Sequence, residues 1–177
     1  MATQTAGSIT DRMLGALRLD DATYEQIEAD PKATGEAAFV VVGSSLVAAA
    51  GYALRLGGEV NAGLLGAIGE LIGWGVYAWL AWLVGTKLIP GPNTKSTWSE
   101  VARTLGYATT PRFFLILVAI PGVLGFVRLA VALWIVAATV VALRSALDCG
   151  TGRAIVVAVL SAVVQFLVVS FIIGALV

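Results

Sequence analysis

Glu70 stands in the segment LLGAIGELIGWGVYAWLAWLVG, residues 64–85, which is otherwise almost wholly apolar. A carboxylate in such a setting does one of two things. It pairs with a cation and ties two segments together, or it carries a proton or cation along an aqueous path. Two other polar side chains stand in comparable apolar runs, Arg128 in residues 122–143 and Gln165 in the last 25 residues. A chain entering the second run at residue 64 and the fourth at 122 reaches Glu70 and Arg128 after six residues each, about 9 Å at 1.5 Å per residue. Equal depth predicts a Glu70–Arg128 ion pair. The alternative is a homo-oligomeric channel or small transporter lined by Glu70, Arg128 and Gln165. One acid, one base at the same depth and one amide make a poor relay, because relays place ionisable groups at successive depths.

Little else in the chain suggests chemistry. There is no histidine and one cysteine, Cys149, so zinc or haem has few ligands and an internal disulfide is impossible. Cys149 reads as a small loop residue in a reducing compartment. No carboxylate pair lies within the apolar runs, and no nucleophile is coupled to a base. The expectation is a non-enzymatic protein without cofactor or metal. Net charge is zero and there is no Lys/Arg cluster, so no nucleic-acid partner is expected.

The elements that must position Glu70 follow from composition. The chain is 177 residues long, 59% hydrophobic and 12% charged, where a soluble domain carries about 25% charged residues. Mean hydropathy is +0.93. Ten of the 22 charges fall in the first 36 residues. Residues 1–36 therefore read as a polar arm and 37–177 as an integral membrane domain. The polar, acidic start lacks the basic-then-apolar pattern of a cleavable signal peptide. A crossing needs about 20 apolar residues, and such runs place spans at about 37–55, 64–85, 104–120, 122–143 and 154–176. The fold class is all-α, a polytopic helical bundle of about five transmembrane helices. The third and fourth spans meet at Pro121-Gly122, as a reversal or as the kink of a re-entrant hairpin.

Lys87, Lys95, Arg103 and Arg112 gather in or beside the second connection, and Arg144 and Arg153 flank the fourth, against Arg55 in the first and Arg128 near the third. Positive charge favours the cytoplasmic side. The N-terminus is expected to be cytoplasmic and the C-terminus outside.

In the arm, Ser8 with Asp11 has the form of a capping box, and Asp20 could cap a second helix stopped by Pro31. Met13, Leu14 and Leu17 would share a face of the first short helix, and Tyr24 and Ile27 a face of the second. Helices this short need support from the membrane surface, from the spans or from a partner. Gly69 and Gly73 form a GxxxG pair with Gly66 nearby, which lets backbones approach within the chain or between two chains. Trp79 and Trp82 lie toward the inner end of the second span, at headgroup level.

The entry to the third span reads SEVARTLGYATTP, residues 99–111. Gly106-Tyr107 followed by Pro111, with about five spans and a cytoplasmic arm, resembles the Yip-domain family of polytopic membrane proteins. GWGVYAWLAWLVGTKLIPG and ALWIVAATVVALRSALDCGTGRAIVVAV are similar to bacterial members, and the likeness covers about residues 10–177. It implies a helical membrane protein without catalytic residues, with Gly106, Tyr107 and Pro111 as signature positions. Eukaryotic members are associated with Rab-type small GTPases and vesicle traffic, but the acidic-aromatic arm signature of those members is not evident here. The function expected is a membrane-organising scaffold, adaptor or accessory subunit in a bacterial cytoplasmic membrane. Its partners would be membrane lipids together with a protein partner or further copies of itself.

Overall fold

Four apolar stretches fold into helices long and apolar enough to cross a membrane: Ala33–Leu56, Ala62–Leu88, Leu124–Ala146 and Thr151–Phe171. The computed structural model describes residues 7–57, 60–92 and 94–176. Among these the α-helices are α1 (Ile9–Leu17), α2 (Asp21–Ala29), α3 (Ala33–Leu56), α4 (Val60–Leu83), α5 (Trp98–Tyr107), α6 (Leu124–Ala146) and α7 (Thr151–Leu176). α4 continues into a π-turn, Val84–Leu88, and α5 is followed by a 3-10 segment, Thr110–Ala119. Gly122, with φ +87°, makes the reversal between that segment and α6.

The segment expected to be a third long helix, 104–120, is therefore not one. Pro111 has no N–H to give the carbonyl of Tyr107 four residues back, so the α-helical ladder stops at Tyr107. The orphaned carbonyl accepts from Thr110 Oγ1 at 2.6 Å, and the Gly106 carbonyl accepts from Thr109 Oγ1 at 2.7 Å. Arg112 N then bonds to Thr109 O at 2.9 Å, three residues back, and the tighter helix begins.

α5 and the 3-10 segment run parallel to α3. Gly106 lies against Ala37, Phe113 against Gly43, and Ile116 against Gly51. The ten residues from Gly106 to Ile116 cover about 18–20 Å because a 3-10 helix rises about 2.0 Å per residue. The fourteen from Ala37 to Gly51 cover about 21 Å at 1.5 Å each. The shorter stretch keeps pace by being more extended.

The main core sits at the end of the bundle that carries the arm. Tyr24, Ile27, Val101, Leu105, Tyr107, Leu143 and Leu147 meet there with small residues from α3, α4 and α7. A smaller cluster of Val118, Val127 and Val131 holds the opposite end. The capping box forms in both directions, Asp11 N to Ser8 Oγ at 3.2 Å and Ser8 N to Asp11 Oδ2 at 3.1 Å. Asp20 caps α2 through Thr23 N at 3.1 Å.

On α1 the expected Met13/Leu14/Leu17 face packs only in part, Met13 lying half-buried against the main core. Leu14 is exposed, and the buried residues are Arg12, Gly15 and Ala16. Gly15 is needed bare because the Thr23 side chain occupies the space a Cβ would take. Arg12 must turn inward to reach carboxylates on α2's end and α3. On α2 both Tyr24 and Ile27 are fully buried.

Candidate functional site

Glu70 does not meet Arg128. Its carboxylate pairs with Arg112, Oε2 to Nη1 at 2.6 Å, and the same nitrogen donates to Ser45 Oγ at 3.3 Å. α4 begins at Val60, so Glu70 lies ten residues, or about 15 Å, along it. Arg128 is only four residues into α6, about 6 Å. The two are not level, and Arg128 is exposed and makes no ion pair among the described residues. Ser45 lies midway along α3, beside the 3-10 segment that carries Arg112.

Apolar residues exposed on α4 flank Glu70 on both sides, Leu64, Leu65 and Ile68 before it and Ile72, Val76 and Trp79 after it. The pair is thus embedded in the apolar belt, with side-chain exposures of 48% for Glu70 and 21% for Arg112. Sequence reading had placed Arg112 among the loop charges. The signal that marks it as interior is its position after Pro111, in an apolar run where no other charge occurs between Arg103 and Arg128.

Gln165 joins α7 to α4, donating from Nε2 to Gly73 O at 3.1 Å; such a bond contributes about 0.6 kcal/mol in membranes. Tyr77 Oη adds a second tie, to Ala158 O at 3.1 Å. Gly73 is the glycine of the candidate packing motif that is covered, with Gln165 3.6 Å from where its Cβ would be, while Gly66 and Gly69 face open space. Trp82 Nε1 donates to Ser96 O at 2.9 Å, fastening the π-turn end of α4 to the loop before α5.

The signature residues shape the α3–α5 contact. A Cβ on Gly106 would lie 2.6 Å from the Ala37 Cβ, so only glycine permits this approach. Tyr107 is fully buried, and its hydroxyl donates to Glu36 Oε2 at 2.5 Å. The same carboxylate oxygen accepts from Arg12 Nη1 at 2.7 Å, and Arg12 Nη2 reaches Asp30. Arg12 is 3% exposed. One arginine from the arm thus clamps α2's end and α3 against a tyrosine at the end of α5. The hydrogen bond from Arg12 holds the Asp30 carboxyl below its ordinary range.

A second buried arginine, Arg103 on α5, donates from Nε to Glu28 O at 2.7 Å and from Nη1 to Thr34 Oγ1 at 3.4 Å. Its guanidinium is directed at a backbone carbonyl, a hydroxyl and, at 3.8 Å, the Glu100 carboxylate of its own helix, rather than at the Glu28 carboxylate. Burial, with Glu25, Glu100 and Asp148 nearby, pushes Glu28 up to about 7, against the opposing pull of Arg103. Cys149 is free and half-buried; burial pushes its thiol up despite Arg153 and Arg144, which fits an inert residue. Sequence reading missed Arg12, Glu36 and Arg103 as site residues. Each lies at the edge of a polar stretch, where a charge ordinarily reads as solvated.

Among the described residues no group of His, Cys, Asp and Glu is arranged to hold a metal ion. The intramembrane pair holds α4 to the 3-10 segment, and the arm clamp holds the polar helices to the bundle. Together they define a helical membrane protein with fastened, rather than reactive, polar groups. Residues 14–173 match the Yip1 domain, and the chain belongs to the Yip1 domain family. Proteins of this family are not known enzymes. No curated protein and no solved structure matches the chain.

Proposed function

We propose that the chain is a non-enzymatic membrane scaffold or adaptor, with the arm end of the bundle in the cytoplasm and five crossings, α5 with the 3-10 segment supplying the third. A bacterial cytoplasmic membrane and a link to membrane traffic belong to the same reading. The observation that carries it is the folded arm. Two capped helices are fixed by a buried arginine and a buried Tyr24–Ile27 ridge. Asp21, Glu25 and Gln26 are exposed beside Asp148, with Asp21 paired to Arg144 at 3.4 Å and Glu25 accepting from Ser145 Oγ at 2.8 Å. Such a preorganised acidic face suits a protein partner, because ordering costs are already met before binding.

Extraction of the tagged full-length protein in its native lipid, followed by mass measurement, tests this. An adaptor carries one defined partner at a fixed ratio and loses it on Gln26→Arg, a substitution on the exposed side of α2. A preparation holding this chain and lipid alone, whatever the variant, rejects the reading.

A further inference from the structure

The arm does not hang below the bundle; it climbs one flank. Trp134, midway along α6, donates from Nε1 to Leu17 O at 3.0 Å, and its ring stacks on Phe114 of the 3-10 segment with centroids 5.5 Å apart. The α1–α2 turn therefore lies beside the second half of α6, between Trp134, which reaches Leu17, and Arg144, which pairs with Asp21 at 3.4 Å, and Arg18 and Asp20 in that turn are exposed. Beyond this level α6 is covered: Ala138, Ala142, Leu143 and Ala146 are buried.

The consequence is an apolar belt of unequal height. On α6 the large exposed apolar residues run from Phe126 to Val136, ten residues or about 15 Å. On the adjacent 3-10 segment they run from Phe114 to Ile120, about 12 Å at 2.0 Å per residue. On α3 they extend from Phe39 to Leu56, about 26 Å, and on α7 from Ile155 to Phe171, about 24 Å. Two neighbouring elements give the short height independently, and two elsewhere give the tall one. A bilayer core is about 30 Å thick, so the tall sides nearly match it and the short flank does not.

Either the charged turn is drawn into hydrocarbon or the bilayer thins beside it. Submerging Arg18 and Asp20 is the costlier course, because each charge in hydrocarbon carries a desolvation penalty of its own, whereas mismatch costs only a small fraction of that for each ångström of the shortfall. We infer that the protein holds the bilayer thin along its α6 and 3-10 flank, the headgroups of the arm-side leaflet reaching about the level of Val136, where the exposed apolar run of α6 ends. The surface involved faces lipid and is separate from the acidic face of α2. The inference holds whether or not that face has a partner.

Spin labels on the full-length protein in phosphatidylcholine vesicles test it, in a Cys149→Ser background. Arg18→Cys, Val136→Cys and Val163→Cys all replace exposed side chains. Val163 is twelve residues into α7 from Thr151 and Trp134 twelve back from Ala146, so the two are level across the turn joining α6 and α7. Thinning predicts that the Arg18 and Val136 labels relax with a water-soluble nickel chelate more than with oxygen, and that Val163 shows the reverse. In longer-chain lipid Val136 stays at the interface while Val163 moves deeper. Equal, oxygen-dominated depth at Val136 and Val163, or an Arg18 label shielded from nickel, overturns the inference.

Discussion

The Tyr107 hydroxyl and the Glu36 carboxylate meet at 2.5 Å, and because the same carboxylate accepts from Arg12, one group joins α1, α3 and α5. Removing Arg12 would leave Glu36 without its cation and Asp30 with only Lys32 nearby. Arg12→Leu is expected to destabilise arm docking by about 3 kcal/mol, the usual cost of breaking a buried pair from one side. Tyr107→Phe removes one charge-assisted bond and is expected to cost about 2 kcal/mol. Amide hydrogen exchange of residues 9–29 in detergent would register both, with the larger loss of protection in Arg12→Leu.

Docking of α2 is expected to weaken as pH rises. Glu28 is held at about 7 in the docked arm, above its ordinary 4.5, so the docked state binds its proton more tightly than a released arm does. A raised carboxyl contributes fully below its unperturbed value and loses that contribution as pH climbs through its folded one. Proteolytic nicking after Lys32 should therefore increase between about pH 5 and pH 8. In Glu28→Gln this pH dependence should flatten; an unchanged profile would show that another group governs it.

The Glu70–Arg112 pair is expected to behave as a fastening. Glu70→Leu or Arg112→Leu alone leaves the other charge in the apolar belt and should destabilise strongly. The double substitution should recover to within about 1 kcal/mol of the parent, as apolar replacements of buried pairs commonly do. Unfolding of all four proteins in one detergent gives the coupling. Single variants as stable as the parent would refute the pair's structural role.

Glycines should divide sharply by neighbourhood. At Gly106 an added Cβ meets the Ala37 Cβ at 2.6 Å, and at Gly51 it meets the Leu115 carbonyl oxygen at 2.5 Å. Alanine at either should cost about 1–3 kcal/mol through overpacking. At Gly66 nothing lies within 4 Å, and alanine there should stabilise by up to about 1 kcal/mol through helix propensity. Thermal unfolding of the three variants ranks them.

Much of the architecture was legible in residue order. The long apolar runs became helices, Ser8–Asp11 and Asp20 capped where their types allow, and Pro121-Gly122 turned the chain. The departures have separate physical causes. A 3-10 stretch carries no comparable sequence signature, which hides Arg112 among the loop charges, and the apolar run beginning at residue 64 does not show that α4 starts at Val60, which puts Glu70 deeper than Arg128. Burial of Arg12 and Arg103 depended on acceptors far away in the chain, Asp30 and Glu36 for one and the Glu28 carbonyl for the other. No local window contains both ends of such contacts.

The 3-10 segment lying along α3 sets two screws of unlike thread side by side. One repeats every three residues and about 6 Å, the other every 3.6 residues and about 5.4 Å. Like the scales of a vernier, their side-chain rows slip by about 0.6 Å per turn away from any level of coincidence. Three residues inserted between Pro111 and Ala119 would restore the rotational phase of the tighter screw but carry every later side chain about 6 Å along α3, one full turn off its present partner. A single added residue would swing every later side chain by about 120° and advance it by about 2 Å, carrying Ile116 off Gly51. The length of this short stretch is thus a gauge block for the whole far end of the bundle.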